Sequence, residues 1–128
     1  HVVLRGSSHG PNYDAASVAK AMDTIRAEMP ADSAAAHGLI VDCSHGNSGK
    51  DEHRQAQVVR DIAGRIAKGE QGITGIMMES FIEGGNQKAA PIDQLVYGKS
   101  ITDKCLSWNT TEQLLRELAH AVAARRWK

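Results

Sequence analysis

Three short apolar runs in this 128-residue chain each end on side chains that can do chemistry. Val2-Val3-Leu4 ends at Arg5, and Leu39-Ile40-Val41 ends at Asp42, Cys43, Ser44 and His45. Ile73-Thr74-Gly75-Ile76-Met77-Met78 ends at Glu79 and Ser80. If the runs are neighbouring strands, one rim receives a guanidinium, an imidazole and a carboxylate. A strand end that serves only the fold more often carries a small or apolar residue, so the coincidence of three is informative. Glu79 is the hardest to dismiss, because a buried carboxylate is costly unless it is paired or binds a metal. Asp103, in Tyr97-Gly-Lys-Ser-Ile-Thr-Asp103, adds a second acid. His45, Glu79 and Asp103 together offer the mixed nitrogen and oxygen donors that suit Mn, Fe(II), Co or Zn.

Each residue also has a plainer reading. Arg5 could pair with a neighbouring carboxylate, His45 could cap a helix or bond a loop carbonyl, and Asp103 could cap a loop. Cys43 reads as a small core residue and Cys105 as structural; adjacency to His45 alone does not make Cys43 a nucleophile. His9, His37, His53 and His120 show no metal spacing with one another and read as surface or packing residues. Arg125-Arg126-Trp127-Lys128 reads as a solvated helix end whose charges suit the dipole there.

The elements that must position these groups repeat. The apolar runs start 37 and 34 residues apart (2 to 39, 39 to 73). Unbroken apolar runs without polar alternation predict parallel strands buried on both faces. Val18, Met22, Ile25 and Met29 form one stripe of a helix from about Asp14 to Met29, ended by Pro30. Val58, Val59, Ile62 and Ile66 do the same from about Asp51 to Lys68, with Gly69 placed for a C-terminal cap. A last helix is expected to open at Asn109, with Glu112 completing a capping box, and to pack Leu114, Leu115, Leu118, Ala121 and Val122 on one side. The order β-α-β-α-β-loop-α predicts an α/β fold with right-handed crossovers, whose chemistry gathers at the carboxyl ends of the strands. The stretch from Phe81 to Ser107, broken by Gly84, Gly85, Pro91 and Gly98, reads as a functional loop.

Three parallel strands leave two unpaired edges and make a poor complete fold. A flavodoxin-like domain has about five strands and a (β/α)8 barrel eight. Residues 1–128 are therefore expected to be a single partial domain, the last three βα units of something larger. The start at His1, inside an apolar run and without Met, adds to that expectation.

Composition excludes other classes. Fifteen basic residues balance fifteen acidic ones, which argues against a chain built to coat nucleic acid or an anionic membrane. An apolar content of 41% fits a packed core. No run approaches the ~18–20 residues of a membrane span. Two cysteines give no disulfide framework, and a reducing cytoplasm is the expected location.

Five segments carry a family resemblance: His1-Val-Val-Leu-Arg-Gly6, Val41-Asp-Cys-Ser-His-Gly-Asn-Ser48, Gly75-Ile-Met-Met-Glu-Ser80, Glu83-Gly-Gly-Asn-Gln87 and Tyr97-Gly-Lys-Ser-Ile-Thr-Asp103. In order and spacing they resemble the carboxyl-terminal third of the type I 3-deoxy-D-arabino-heptulosonate 7-phosphate (DAHP) synthases, which are feedback-regulated in bacteria and fungi. The resemblance runs through the whole chain, including the Cys105-Leu-Ser-Trp108 step into the last helix. It implies the sixth to eighth βα units of a TIM (β/α)8 barrel, incomplete as they stand. It implies a transferase that condenses phosphoenolpyruvate with erythrose 4-phosphate, releasing phosphate, at the first step towards chorismate and the aromatic amino acids. His45, Glu79 and Asp103 then resemble three of four protein ligands of one divalent metal ion (Mn, Fe, Co or Zn), with His45 also catalytic. Arg5 resembles an arginine that holds the phosphoenolpyruvate phosphate. The family's fourth ligand is a cysteine from an early strand, and neither Cys43 nor Cys105 lies in its motif. Its other phosphate-binding residues, including an early Lys-Pro-Arg-Thr segment, have no counterpart here.

Two other readings stand beside this one. A 3-deoxy-D-manno-octulosonate 8-phosphate synthase uses a related barrel, but the Glu83–Gln87 and Tyr97–Asp103 segments favour the heptulosonate enzyme. Alternatively, the chain alone is a non-catalytic barrel fragment that self-associates through its open sheet edge, making a homo-oligomer.

Overall fold

The computed structural model describes residues 1–34 and 38–127; His37 and Lys128, considered above, lie outside them. Strands β1 (Val2–Leu4), β2 (Leu39–Asp42) and β3 (Ile73–Met77) form a parallel sheet in the order β1-β2-β3. Helices α1 (Ala15–Glu28), α2 (Ala31–Ala34), α3 (His45–Ser48), α4 (Glu52–Ala67) and α5 (Trp108–Arg126) lie between and after the strands. The two single-turn helices, α2 and α3, have no period long enough to read in the sequence. No helix among the described residues is long and apolar enough to cross a membrane.

Only the central strand fits the two-faced burial expected of all three. Leu39 and Val41 are fully buried, whereas Val2 and Val3 of the edge strand are 46% and 48% exposed. The pattern records lateral neighbours as well as side-chain character, and β1 has a neighbour on one side only among the described residues. Between β2 and β3 the register slips: Leu39 pairs with Ile73, and Ile40 with Gly75. Thr74 is the extra residue of that bulge, and its hydroxyl donates to the Leu39 carbonyl at 3.3 Å.

The helix stripes bury as their periods require: Val18, Met22 and Ile25 from α1, and Val58, Val59, Ile62 and Ile66 from α4, join Leu39, Val41 and Ile73 in one core. Asp14 caps α1, accepting from the Ser17 N–H at 2.9 Å, and the hydrogen bonds from Ser17 hold its carboxyl below the ordinary value. Asp51 caps α4 through the N–H groups of His53 and Arg54. Gly69 takes φ of 109° just past the end of α4, the left-handed backbone that position requires.

The start of α5 differs from expectation. Its N-cap is Ser107, whose hydroxyl oxygen accepts from the Thr110 N–H at 3.3 Å, and Asn109 lies inside the first turn. The two-residue shift follows from the preceding segment: Trp108 donates its N–H to the Ile82 carbonyl at 3.2 Å, which fixes where the chain turns. Leu114 and Ala121 are buried, whereas Leu115 is 46% exposed and leaves the packed side. Losing a Ser cap costs about 1 kcal/mol. Ser107→Ala should therefore lower the unfolding free energy by about that much in urea titrations, and Asn109→Ala should leave it nearly unchanged.

Candidate metal centre

The donors converge where the β2–β3 ladder ends. The last parallel partners are Asp42 and Met77, after which Cys43 donates its N–H to the Met77 carbonyl at 2.9 Å. From there β2 turns into α3, and His45 takes φ of 37°. Left-handed backbone costs a non-glycine residue roughly 1–3 kcal/mol and persists only where surrounding bonds impose it. Here the imposing bonds are visible. His45 Nδ1 donates to Asp42 Oδ2 at 2.7 Å, and Asp42 Oδ1 accepts the Ser44 N–H at 2.8 Å.

That pairing fixes the imidazole chemically. Asp42 is 3% exposed, and a carboxylate only accepts, so Nδ1 is the donor of this pair and Nε2 is the ring nitrogen turned towards the other two acids. Nε2 lies 3.5 Å from Glu79 Oε1 and 4.0 Å from Asp103 Oδ2. The three donor atoms all lie within 4.8 Å of one another. That donor set fits a divalent cation of the first transition row.

Glu79 is held from several sides. Its Oε2 accepts from the Ser44 hydroxyl at 2.6 Å. Its backbone N–H donates to Gln55 Oε1 at 2.6 Å, and its carbonyl accepts from the Leu106 N–H at 2.9 Å. Asp103 comes from the long segment, which is an ordered loop with one 3-10 turn at Ile92–Gln94. Gln87 organises it: its side-chain amide donates to the Val96 and Lys99 carbonyls and accepts the Val96 N–H, each at 2.9 Å. Asn86 Nδ2 donates to the Thr102 carbonyl at 2.8 Å, immediately before Asp103. Cys105 and Gly85 exchange backbone hydrogen bonds at 2.8 and 3.1 Å.

Arg5 stands at the same end of the sheet, just past the end of β1, exposed and without an ion pair among the described residues. Its loop is stitched to the His45 loop. Buried Asn47 donates to the Leu4 carbonyl at 3.0 Å and the Asp42 carbonyl at 2.8 Å, while its oxygen accepts the Asn12 N–H at 2.8 Å. Asn12 in turn accepts the Gly6 N–H at 2.7 Å. Gly6 has φ of 88°, and a Cβ there would lie 2.5 Å from the Gly46 carbonyl carbon, so only glycine permits this approach.

His45, Glu79 and Asp103 are thus brought together as their types suggested, with Arg5 on the same rim. His9, His53 and His120 are exposed and outside this cluster. Residue types and spacing place Asp42 and Ser44 at the strand end without giving them a role, and they single out neither Gln55 nor Asn47. For Asp42 a signal existed: the argument applied to Glu79, an acid at the end of a buried apolar run, holds equally for it, and His45 lies three residues on. Gln55 gave a weaker sign, a polar residue directly beside the apolar stripe of α4.

The model of the DAHP synthetase I family matches residues 1–116. A Corynebacterium glutamicum protein named phospho-2-dehydro-3-deoxyheptonate aldolase is 46% identical, aligned to 98% of this chain and 34% of its own length. The Phe-sensitive enzyme of that name from Escherichia coli is 43% identical over the same shares. The solved structure of the Francisella tularensis aldolase superposes with a TM-score of 0.86 at 38% identity, covering 98% of this chain and 35% of that one. The chain belongs to the DAHP synthetase I family. It spans about a third of the length of the curated relatives it matches.

Cys43 is fully buried beside the site, and burial, reinforced by the Asp42 charge, pushes its thiol up to about 12. The raised value makes the folded state hold its proton more tightly than the unfolded state. This contribution to stability is whole below about 9 and is lost as pH climbs from there towards 12. Unfolding free energy should fall across that window, and more shallowly in Cys43→Ala. Native Cys43 should resist aromatic disulfide reagents at pH 8 and react fully in denaturant.

Proposed function

We propose that the whole protein condenses phosphoenolpyruvate with erythrose 4-phosphate to give DAHP and phosphate, using one divalent metal ion held by His45, Glu79 and Asp103. The observation that carries this reading is the convergence of those three donors within 4.8 Å at the strand ends of a chain in this family. In the same reading residues 1–128 are one partial domain, the sixth to eighth βα units of a (β/α)8 barrel, and the complete enzyme is a homo-oligomer.

In the reaction C3 of phosphoenolpyruvate bonds to the aldehyde carbon of the tetrose. Its C2 becomes electron-poor and takes oxygen from water, and inorganic phosphate departs. A bound divalent ion would supply Lewis acidity to the aldehyde oxygen as negative charge gathers there. Glu79 and Asp103 contribute the anionic oxygens that hold such an ion, and His45 contributes Nε2. With Nδ1 committed to Asp42, Nε2 is the only free ring nitrogen, so His45 either ligates or moves a proton at that atom. Ligation is the role proposed, and any help to the incoming water comes from positioning. Arg5, exposed and without a carboxylate partner among the described residues, is placed to take a phosphate through two parallel N–H contacts.

Chelation of the complete enzyme should abolish turnover and Mn(II) should restore it. Glu79→Gln should weaken Mn(II) binding by at least tenfold in equilibrium titration, and His45→Gln should lose both metal and turnover. Full activity with normal metal content in His45→Gln would remove both roles assigned to the imidazole.

A polypeptide limited to these 128 residues should show no phosphate release dependent on both substrates and metal. The family's fourth ligand and most of its phosphate-binding side chains have no counterpart among them. Its β1 edge, with Val2 and Val3 about half exposed, should drive association that grows with concentration in sedimentation runs. Turnover by such a polypeptide, or a monomer at every concentration, would contradict these two expectations in turn.

A further inference from the structure

We infer that Gln55 is a positioning residue for the metal centre: its side-chain amide acts as a surrogate strand at the end of β3 and sets where the Glu79 carboxylate stands. This inference rests on the reading of His45, Glu79 and Asp103 as metal ligands.

A strand end that projects a ligand needs its peptide groups satisfied, or the position drifts. For β3 the partner on one side is β2, and that pairing stops at Met77 because β2 turns into α3 at His45. Glu79 lies two residues further on. Gln55 fills the gap from α4, 24 residues away in sequence. Its Oε1 accepts the Glu79 N–H at 2.6 Å and its Nε2 donates to the Glu79 carbonyl at 3.3 Å. A primary amide offers one acceptor and donors side by side, as a neighbouring peptide group would.

Burial makes the contact matter. Gln55 is 1% exposed, among apolar neighbours that include Val58 and Val59 of the same helix. A glutamine placed there must find partners within the protein, and the partners it finds belong to a proposed ligand. On the other flank Leu106 donates to the same Glu79 carbonyl, and Ser44 holds Oε2, so that Oε1 is left towards His45 Nε2. Gln55 itself touches neither donor oxygen, which distinguishes positioning from ligation.

The test uses the complete enzyme and Mn(II) as the probe. Gln55→Met keeps most of the volume and removes both hydrogen bonds; it should raise the Mn(II) dissociation constant by about 10- to 100-fold. Ile66→Ala, a core change three turns further along the same helix, is the control for lost stability and should leave Mn(II) affinity within twofold. If Gln55→Met binds Mn(II) as Ile66→Ala does, the inference is overturned while the ligand assignment survives. If the wild-type enzyme binds Mn(II) but Glu79→Gln binds it equally well, the ligand assignment falls and takes the inference with it. Should Gln55→Met not fold, hydrogen exchange on the metal-free wild type decides. The Glu79 amide should be as protected there as the β2 amides, and loop-like exchange at that amide would overturn the proposal.

Discussion

Three carboxylates crowd a single imidazole at the ends of parallel strands, and the fold has to hold them there against their own repulsion. Two unit charges about 4.8 Å apart repel by roughly 3–4 kcal/mol at the effective dielectric of a protein surface, and Glu79 and Asp103 lie no farther apart than that. Asp103, with its side chain 44% exposed, gains screening that Asp42, at 5%, does not. The groups that hold these acids are neutral: Ser44 on Glu79, the Ser44 N–H on Asp42, Gln55 on the Glu79 backbone. Hydrogen bonds to charged acceptors contribute about 1.5–3 kcal/mol each, enough in combination to fix the geometry without neutralising the charge. A site kept negative in this way remains open to a cation.

The rest of the fold serves that arrangement. Strand β2 is buried between its two neighbours, the His45 loop and the Asn47 bridge both depend on its position, and α4 covers the core while presenting Gln55 to β3. Asn47 locks the β1 and β2 ends together from a single buried side chain, and Gly6 permits the contact because nothing projects from its α-carbon. Helix α5 is joined to α4 by Leu114 in the core and by the Arg60–Glu117 pair at 3.0 Å on the surface. The surface pair adds little, since such pairs are worth about 0–1 kcal/mol. Burial of the Leu114 side chain, which is fully enclosed, contributes more than that pair.

How much of this could be read in advance follows from the range of each interaction. The three strands and the stripes of α1 and α4 were legible, because a period is local and burial enforces it. His45, Glu79 and Asp103 were legible because charged side chains after apolar runs are conspicuous. The Ser107 cap was not. Both Ser107 and Asn109 are good capping residues, and the choice between them is made by a backbone bond from Trp108 to Ile82, 26 residues upstream. Leu115 failed for a related reason: it sits beside Leu114 on the helix, and only the placement of α4 decides which of the two turns inward. Asn47 gave no sign and Gln55 only a faint one, since the meaning of a buried amide lies in its distant partners.

The donors come from separate parts of the chain, and on the proposed reading this couples metal binding to folding. His45, Glu79 and Asp103 belong respectively to the turn after β2, the end of β3 and the loop before α5. In an unfolded chain they are far apart, so a cation that needs all three binds the folded form alone. Binding of that kind stabilises by RT ln(1 + [L]/Kd), about 2.7 kcal/mol at a hundredfold excess over Kd. On the proposed reading the repulsion among the acids weakens the metal-free fold, and the same repulsion becomes attraction to the ion once it enters. The charge that costs stability in one state supplies affinity in the other, and the Ser44 hydroxyl and N–H that hold Glu79 and Asp42 leave that charge in place because both are neutral.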